Sequence, residues 1–115
     1  MAIATTGHRE TVAVNGYGAN TPYMSLHTAD PGTTGANEAT GGSPAYARKA
    51  LTWTAGASDG SISTSAVFDV PPGTYTFIGF WSAASGGSFL DKASITSTTK
   101  ATQDQIQVNY TFTAS

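Results

Sequence analysis

The chain has 115 residues, 7 acidic and 5 basic side chains, a formal net charge of −2 and no cysteine. That composition excludes a disulfide framework and a thiolate metal centre. The five basic residues (Arg9, Arg48, Lys49, Lys92 and Lys100) are too scattered for the basic stripe that a nucleic-acid partner requires.

The charged fraction is only 10% beside 39% apolar residues, so Ser, Thr, Ala and Gly make the surface polar but uncharged. Such a surface repels its neighbours weakly and suits a chain packed against other subunits. The length predicts a single β domain over residues 1–115. The start, "MAIATTGHRETVAV", lacks the basic and then continuously apolar pattern of a signal peptide. No apolar run reaches the roughly 20 residues of a membrane span. Synthesis in a cytoplasm, without membrane insertion, is the expectation.

Residues 1–20 read as an N-terminal arm or short helix. Thr6 is the candidate cap and Asn15-Gly16 the candidate end; a hairpin turn at Asn15-Gly16 is the alternative. "PYMSLHT" alternates with a period of two, setting Met24 and Leu26 on one face and Tyr23, Ser25 and His27 on a polar face. Residues 29–45 form a long Gly/Pro-rich loop. "ARKALTW" predicts a strand aligning Ala47, Lys49, Leu51 and Trp53, and "SAVFDV" one aligning Ala66, Phe68 and Val70.

"TYTFIGFWS" is apolar on both faces, the pattern of a central strand. After the Gly-containing loop "AASGG" comes the strand "GSFLDKASI". "QIQVNYTFTA" closes the chain, with Ile106, Val108, Tyr110 and Phe112 inward and Gln105, Gln107, Asn109 and Thr111 outward. Breakers at "GASDG", "VPPG", "ASGG" and "TTKATQDQ" separate these runs. Together they predict an all-β fold, an antiparallel β-sandwich or jelly-roll-like barrel. Trp53, Phe68, Phe77, Phe80, Ile106, Val108 and Phe112 are its expected core.

Nucleophilic catalysis would need a histidine beside Ser. His8 is expected to be exposed near the terminus. His27 is expected on the polar strand face at the mouth of the long loop, as a structural residue with a hydrogen bond. No G-x-S-x-G elbow is present. The carboxylates Glu10, Asp30, Glu38, Asp59, Asp69, Asp91 and Asp104 form no evident pair for glycoside hydrolysis. Asp30-Pro31-Gly32 and Asp59-Gly60 read as turns. Asp30, Asn37 and Glu38 supply oxygens without EF-hand spacing, so no metal site is assigned. Neither glycine motif of phosphate binding occurs. Tyr17, Tyr23, Tyr46 and Tyr75 are the rings that could stack on sugars, although packing at strand edges with the hydroxyl at the surface accounts for them better.

Two segments carry a resemblance: "SLHTADPGTTGANEATGGSPAYARKALTW" and "FIGFWSAASGGSFL". They resemble small virion proteins of tailed phages, common in phages of actinobacteria, with the pattern L-[HY]-T-A-D-P-G, T-G-A-x-E, G-G-S and Y-A-R. A later F-G-[FIL]-[WF]-x-A-A-[ST]-G-G completes it. The similarity runs from about Ser25 to Leu90, with a strand-rich end to Thr113. It implies a virion structural protein of the tail-fibre, minor-tail or head-decoration type, without enzymatic activity or cofactor. Other virion proteins and further copies of the chain are the implied partners. A glycan-binding module at a tail tip is the alternative.

On this reading the long loop is a crossover of fixed structure. Asp30 starts a turn, Gly41-Gly42 bends the backbone, and Arg48 reaches Glu38 or a loop carbonyl, since five N–H donors suit a segment of unpaired carbonyls. Tyr17, Tyr46 and Arg48 are the candidate subunit contacts.

Overall fold

The computed structural model describes residues 5–55 and 60–114. A short helix, α1 (Thr6–Thr11), continues into a π-helical segment (Val12–Tyr17) and a 3-10 turn (Gly18–Asn20). The strands are β1 (Tyr23–His27), β2 (Lys49–Ala50), β3 (Thr54–Ala55), β4 (Ser61–Val70), β5 (Gly73–Trp81), β6 (Phe89–Lys100) and β7 (Asp104–Thr113). They form two antiparallel sheets with orders β2-β1-β5-β6 and β3-β4-β7.

The two sheets share one core, which makes the fold a β-sandwich. Met24, Leu26, Ile78 and Phe80 from the first sheet meet Ala66, Phe68, Val70, Ile106 and Val108 from the second. Strict period-two alternation puts these residues on one face of each strand. Met24 lies opposite Phe80 and Leu26 opposite Ile78, while Phe68 lies opposite Ile106 across β4 and β7. Complete burial of a ring such as Phe68 contributes about 2–3 kcal/mol. The register of β7 is the expected one: Ile106 and Val108 are buried, and Gln105, Gln107, Asn109 and Thr111 are exposed.

Several expectations need revision. Trp53, Phe77 and Phe112 are half-buried rather than largely buried. The predicted strand over "ARKALTW" is not continuous. Lys49 and Ala50 pair with β1, whereas Thr54 and Ala55 pair with β4 in the other sheet. The chain changes sheets between them, and Trp53 stands at the crossing with its indole N–H on the Thr21 carbonyl at 3.0 Å. β4 starts earlier than expected and β6 runs later, to Lys100, so only residues 101–103 turn. The turn expected at Asp59-Gly60 falls partly outside the described residues.

The helical arm is capped one residue before the expected position. Thr5 is extended, and its side chain accepts the His8 amide at 3.4 Å. At the far end Asn20 and Thr21 bond back to the carbonyls of Gly16 and Tyr17 at 2.9 and 2.6 Å, which closes the last turn beyond Asn15-Gly16. Tyr17 then inserts between the sheets: it stacks on Phe112 at 3.8 Å, meets Trp53 and Phe80 edge-on, and donates its hydroxyl to Asp91 at 2.7 Å.

Candidate functional site

The second face of β1 is not a polar surface. Ser25 and His27 lie there with 0% exposure, deeper than the partly buried place on a polar strand face expected of His27. Antiparallel register sets Ser25 opposite Gly79, His27 opposite Phe77 and Tyr23 opposite Trp81. Residues 28–48 fold back over this face. Pro31 and Ala39 are buried beneath the loop, Thr28 donates to the Asn37 carbonyl, and the Ala39 amide donates to the Leu26 carbonyl at 2.8 Å.

One chain of hydrogen bonds threads the covered face. The Trp81 Nε1–H donates to Ser25 Oγ at 2.9 Å, and Ser25 Oγ lies 2.6 Å from His27 Nε2. His27 Nδ1 lies 2.8 Å from the Ala36 carbonyl, which can only accept. The Nδ1 position therefore carries a proton, and in the neutral imidazole Nε2 accepts from the serine hydroxyl. Gly79 makes room for this arrangement, because a Cβ there would stand 2.6 Å from Ser25 Oγ, 2.7 Å from His27 Nε2 and 2.8 Å from Phe89. The donor order is that of a nucleophile–base pair, but both side chains are sealed from solvent.

Burial lowers the His27 pKa, against the smaller opposing effects of the Ala36 bond and Glu38. The unfolded chain then takes up a proton at a pH where the folded chain still refuses it. His27 thus leaves stability unaffected above its ordinary value of about 6.5 and costs stability as pH falls below it. The denaturant midpoint is expected to drop between about pH 7 and about pH 5, and His27→Gln to flatten that drop. An unchanged slope in the variant assigns the acid sensitivity elsewhere.

Arg48 clamps the loop from outside. Its Nε and Nη2 donate to the two Glu38 oxygens at 3.0 Å each. Its Nη1 donates to the carbonyls of Ala83 and Gly86 at 3.1 and 2.9 Å, on the loop between β5 and β6. The guanidinium lies 3.6 Å over the Trp81 ring, a cation–π contact. Tyr46 completes the clamp, donating its hydroxyl to Glu38 at 2.8 Å and accepting the Leu26 amide at 3.0 Å. Burial, reinforced by the Glu38 bond, raises the Tyr46 pKa and keeps the phenol neutral. One guanidinium thus joins two loops across an indole.

The remaining loop residues have separate duties. Asp30 Oδ1 accepts the Gly32 amide at 2.8 Å and Lys92 Nζ at 2.6 Å, and Lys92 holds its pKa down. Asn37 adopts φ 63° and donates to the Asp30 carbonyl. Asp30, Asn37 and Glu38 therefore do not converge on a common point. Gly35, at φ +78°, lies flat against Trp81, where a Cβ would come within 2.3 Å of the ring.

Arg48, Glu38 and Tyr46 thus come together, Asp30 sits at the far end of the same loop, and Tyr17 lies apart beside Asp91. Sequence reasoning missed Ser25, Gly79 and Trp81 as parts of this site. The available signal was a glycine inside an otherwise apolar strand, which marks a close approach.

Residues 10–112 match the family described as podophage GP4 fiber I protein gp80. The chain belongs to this phage fibre family. The match covers the second half of the arm, both sheets and the clamped loop, and it agrees with the resemblance to tailed-phage virion proteins. No curated protein matches the chain.

Proposed function

We propose that this fibre-family chain is a non-catalytic structural subunit, carried on the outside of the virion and bound to other virion proteins and to copies of itself. The family match over residues 10–112 carries the reading. The chemistry of the site supports it: the Ser25–His27 pair is sealed, and its hydrogen bonds hold a loop in place. Asp30, Glu38 and Arg48 order that loop into a rigid surface. Tyr17, Tyr46 and Arg48 support the contact surface from beneath, since each is already bonded within the chain. A fibre component fits the family description better than a head-decoration protein.

The glycan-binding alternative calls for exposed rings. The hydroxyls of Tyr17, Tyr46 and Tyr75 instead bond Asp91, Glu38 and the Pro71 carbonyl.

The test is the composition and labelling of purified particles. The protein is expected in the virion, on its fibres, and absent from particles when its gene is deleted. Purified protein added back is expected to bind those particles almost equally at low and high salt, because so few charges are available to be screened. A protein missing from particles, or one that hydrolyses host cell-wall sugars, overturns the proposal.

A further inference from the structure

We infer that the open edge of β7 is a self-pairing surface, where two copies join antiparallel about a two-fold axis centred on Asn109. The inference rests on the reading that the subunit binds copies of itself, and it specifies the surface and the register.

β7 ends the order β3-β4-β7, and among the described residues no strand lies beyond it. The Ala114 amide donates to the Gly60 carbonyl at 2.9 Å, continuing the β4–β7 ladder, so even-numbered residues turn their backbone groups toward β4. The Gln105 amide, of the opposite parity, is instead closed by the Asp104 side chain at 2.8 Å. Gln107, Asn109, Thr111 and Thr113 share that outward parity and aim N–H and C=O away from the sheet.

Exposed edges are normally blunted by lysine, proline, a bulge or shortness. β2 and β3 are two residues each, and β6 carries Lys92, Lys100 and an irregular register against β5. β7 has none of these devices. From Gln105 to Thr113 it holds no charge, no proline and no glycine, and its ten pairs with β4 run without a break.

A second copy fits this edge. Centring on Asn109 sets Gln107 against Thr111 and Asn109 against itself with edge-facing backbone groups, and Gln105 against Thr113, where the Gln105 amide must first leave the Asp104 side chain. Between them Ile106 meets Phe112 and Val108 meets Tyr110. Apolar side chains therefore face apolar ones, neutral polar ones face neutral polar ones, and no like charges are brought together. A two-fold axis along the sheet normal keeps the core-facing side common to both copies.

The wall is large enough. Nine paired residues span about 30 Å, and the shortest dimension of the molecule is 21 Å. That wall, roughly 600 Å², is an upper bound on the area covered per partner, and its full coverage by a second copy reaches the roughly 1,000 Å² total that a specific interface needs. A slot of mixed character, lined by Ile95, Ile106 and Val108 together with Thr96, Gln107 and Asn109, opens along the same wall.

The chain has no cysteine, so an Asn109→Cys variant carries a single thiol. Oxidation is expected to cross-link it into a covalent dimer, whereas Ser63→Cys, on the outer face of β4 away from the edge, is expected to stay uncross-linked. Light scattering on the wild-type protein is expected to give twice the monomer mass. Asn109→Lys sets like charges together at the axis and Asn109→Pro removes an edge donor. Both are expected to be monomeric with their β circular-dichroism spectrum retained. A wild-type monomer overturns the inference. A dimer that persists in both variants and resists cross-linking through Asn109→Cys places self-association on another surface. An Asn109→Cys variant that cross-links in particles only to a different virion protein overturns the two-fold pairing. Presence in the virion is measured separately, so none of these outcomes bears on it.

Discussion

Arg48→Ala is expected to lower unfolding stability by about 3 kcal/mol. The side chain is 10% exposed and the Glu38 side chain 21%. Removing Arg48 leaves the Glu38 carboxylate, among the described residues, with the Tyr46 hydroxyl alone and strips the carbonyls of Ala83 and Gly86 of the Arg48 donor. An unpartnered carboxylate in a largely dry place is the main cost, with the lost cation–π contact added. Arg48→Lys is expected to recover less than half of the loss, because an ammonium cannot hold both Glu38 oxygens and two carbonyls while lying flat on Trp81. Urea titration measures the loss, and limited proteolysis localises it to residues 28–48. A loss under about 1 kcal/mol would mean that the loop keeps its place without the clamp.

Gly79→Ala is expected to cost about 3 kcal/mol, although it adds one methyl group. The added carbon would lie within 2.8 Å of three groups, each held in turn: Ser25 by Trp81, His27 by Ala36, and Phe89 by packing on Trp81. β5 lies between β1 and β6 and cannot retreat without breaking one of its ladders. The Ser25→Ala change alone removes an acceptor for the indole and a donor for the imidazole, at about 1–2 kcal/mol. Combined with Gly79→Ala it also removes the closest clash, so the double variant is expected to be more stable than the sum of the two losses. Thermal unfolding of the four proteins decides this, and strict additivity would refute the proposed crowding.

The faces of β4 and β7 were legible because each strand has one apolar and one polar parity and each buries a single face. The central place of β5 was legible from its two apolar faces. Arg48 was a visible candidate because an arginine next to a loop rich in carbonyls is a chemical match whatever the fold. Ser25 and His27 were misplaced for an equally physical reason. Their parity is polar, and alternation cannot register that a distant segment of the same chain will cover that face and satisfy its hydrogen bonds. The crossing at Trp53 was hidden likewise, since residues before and after it keep one alternation while joining different sheets.

By itself the sequence determined the β architecture, the inward residues of its long strands and the kinship with phage virion proteins. Those properties depend on local periodicity and on short motifs read within one segment. Only the tertiary structure decided which strand face the loop lines, that Gly79 is a seat for a histidine, and that β7 is an open edge. Each of these depends on contacts between residues far apart in the chain, whose pairing is set by how the two sheets close on a shared core.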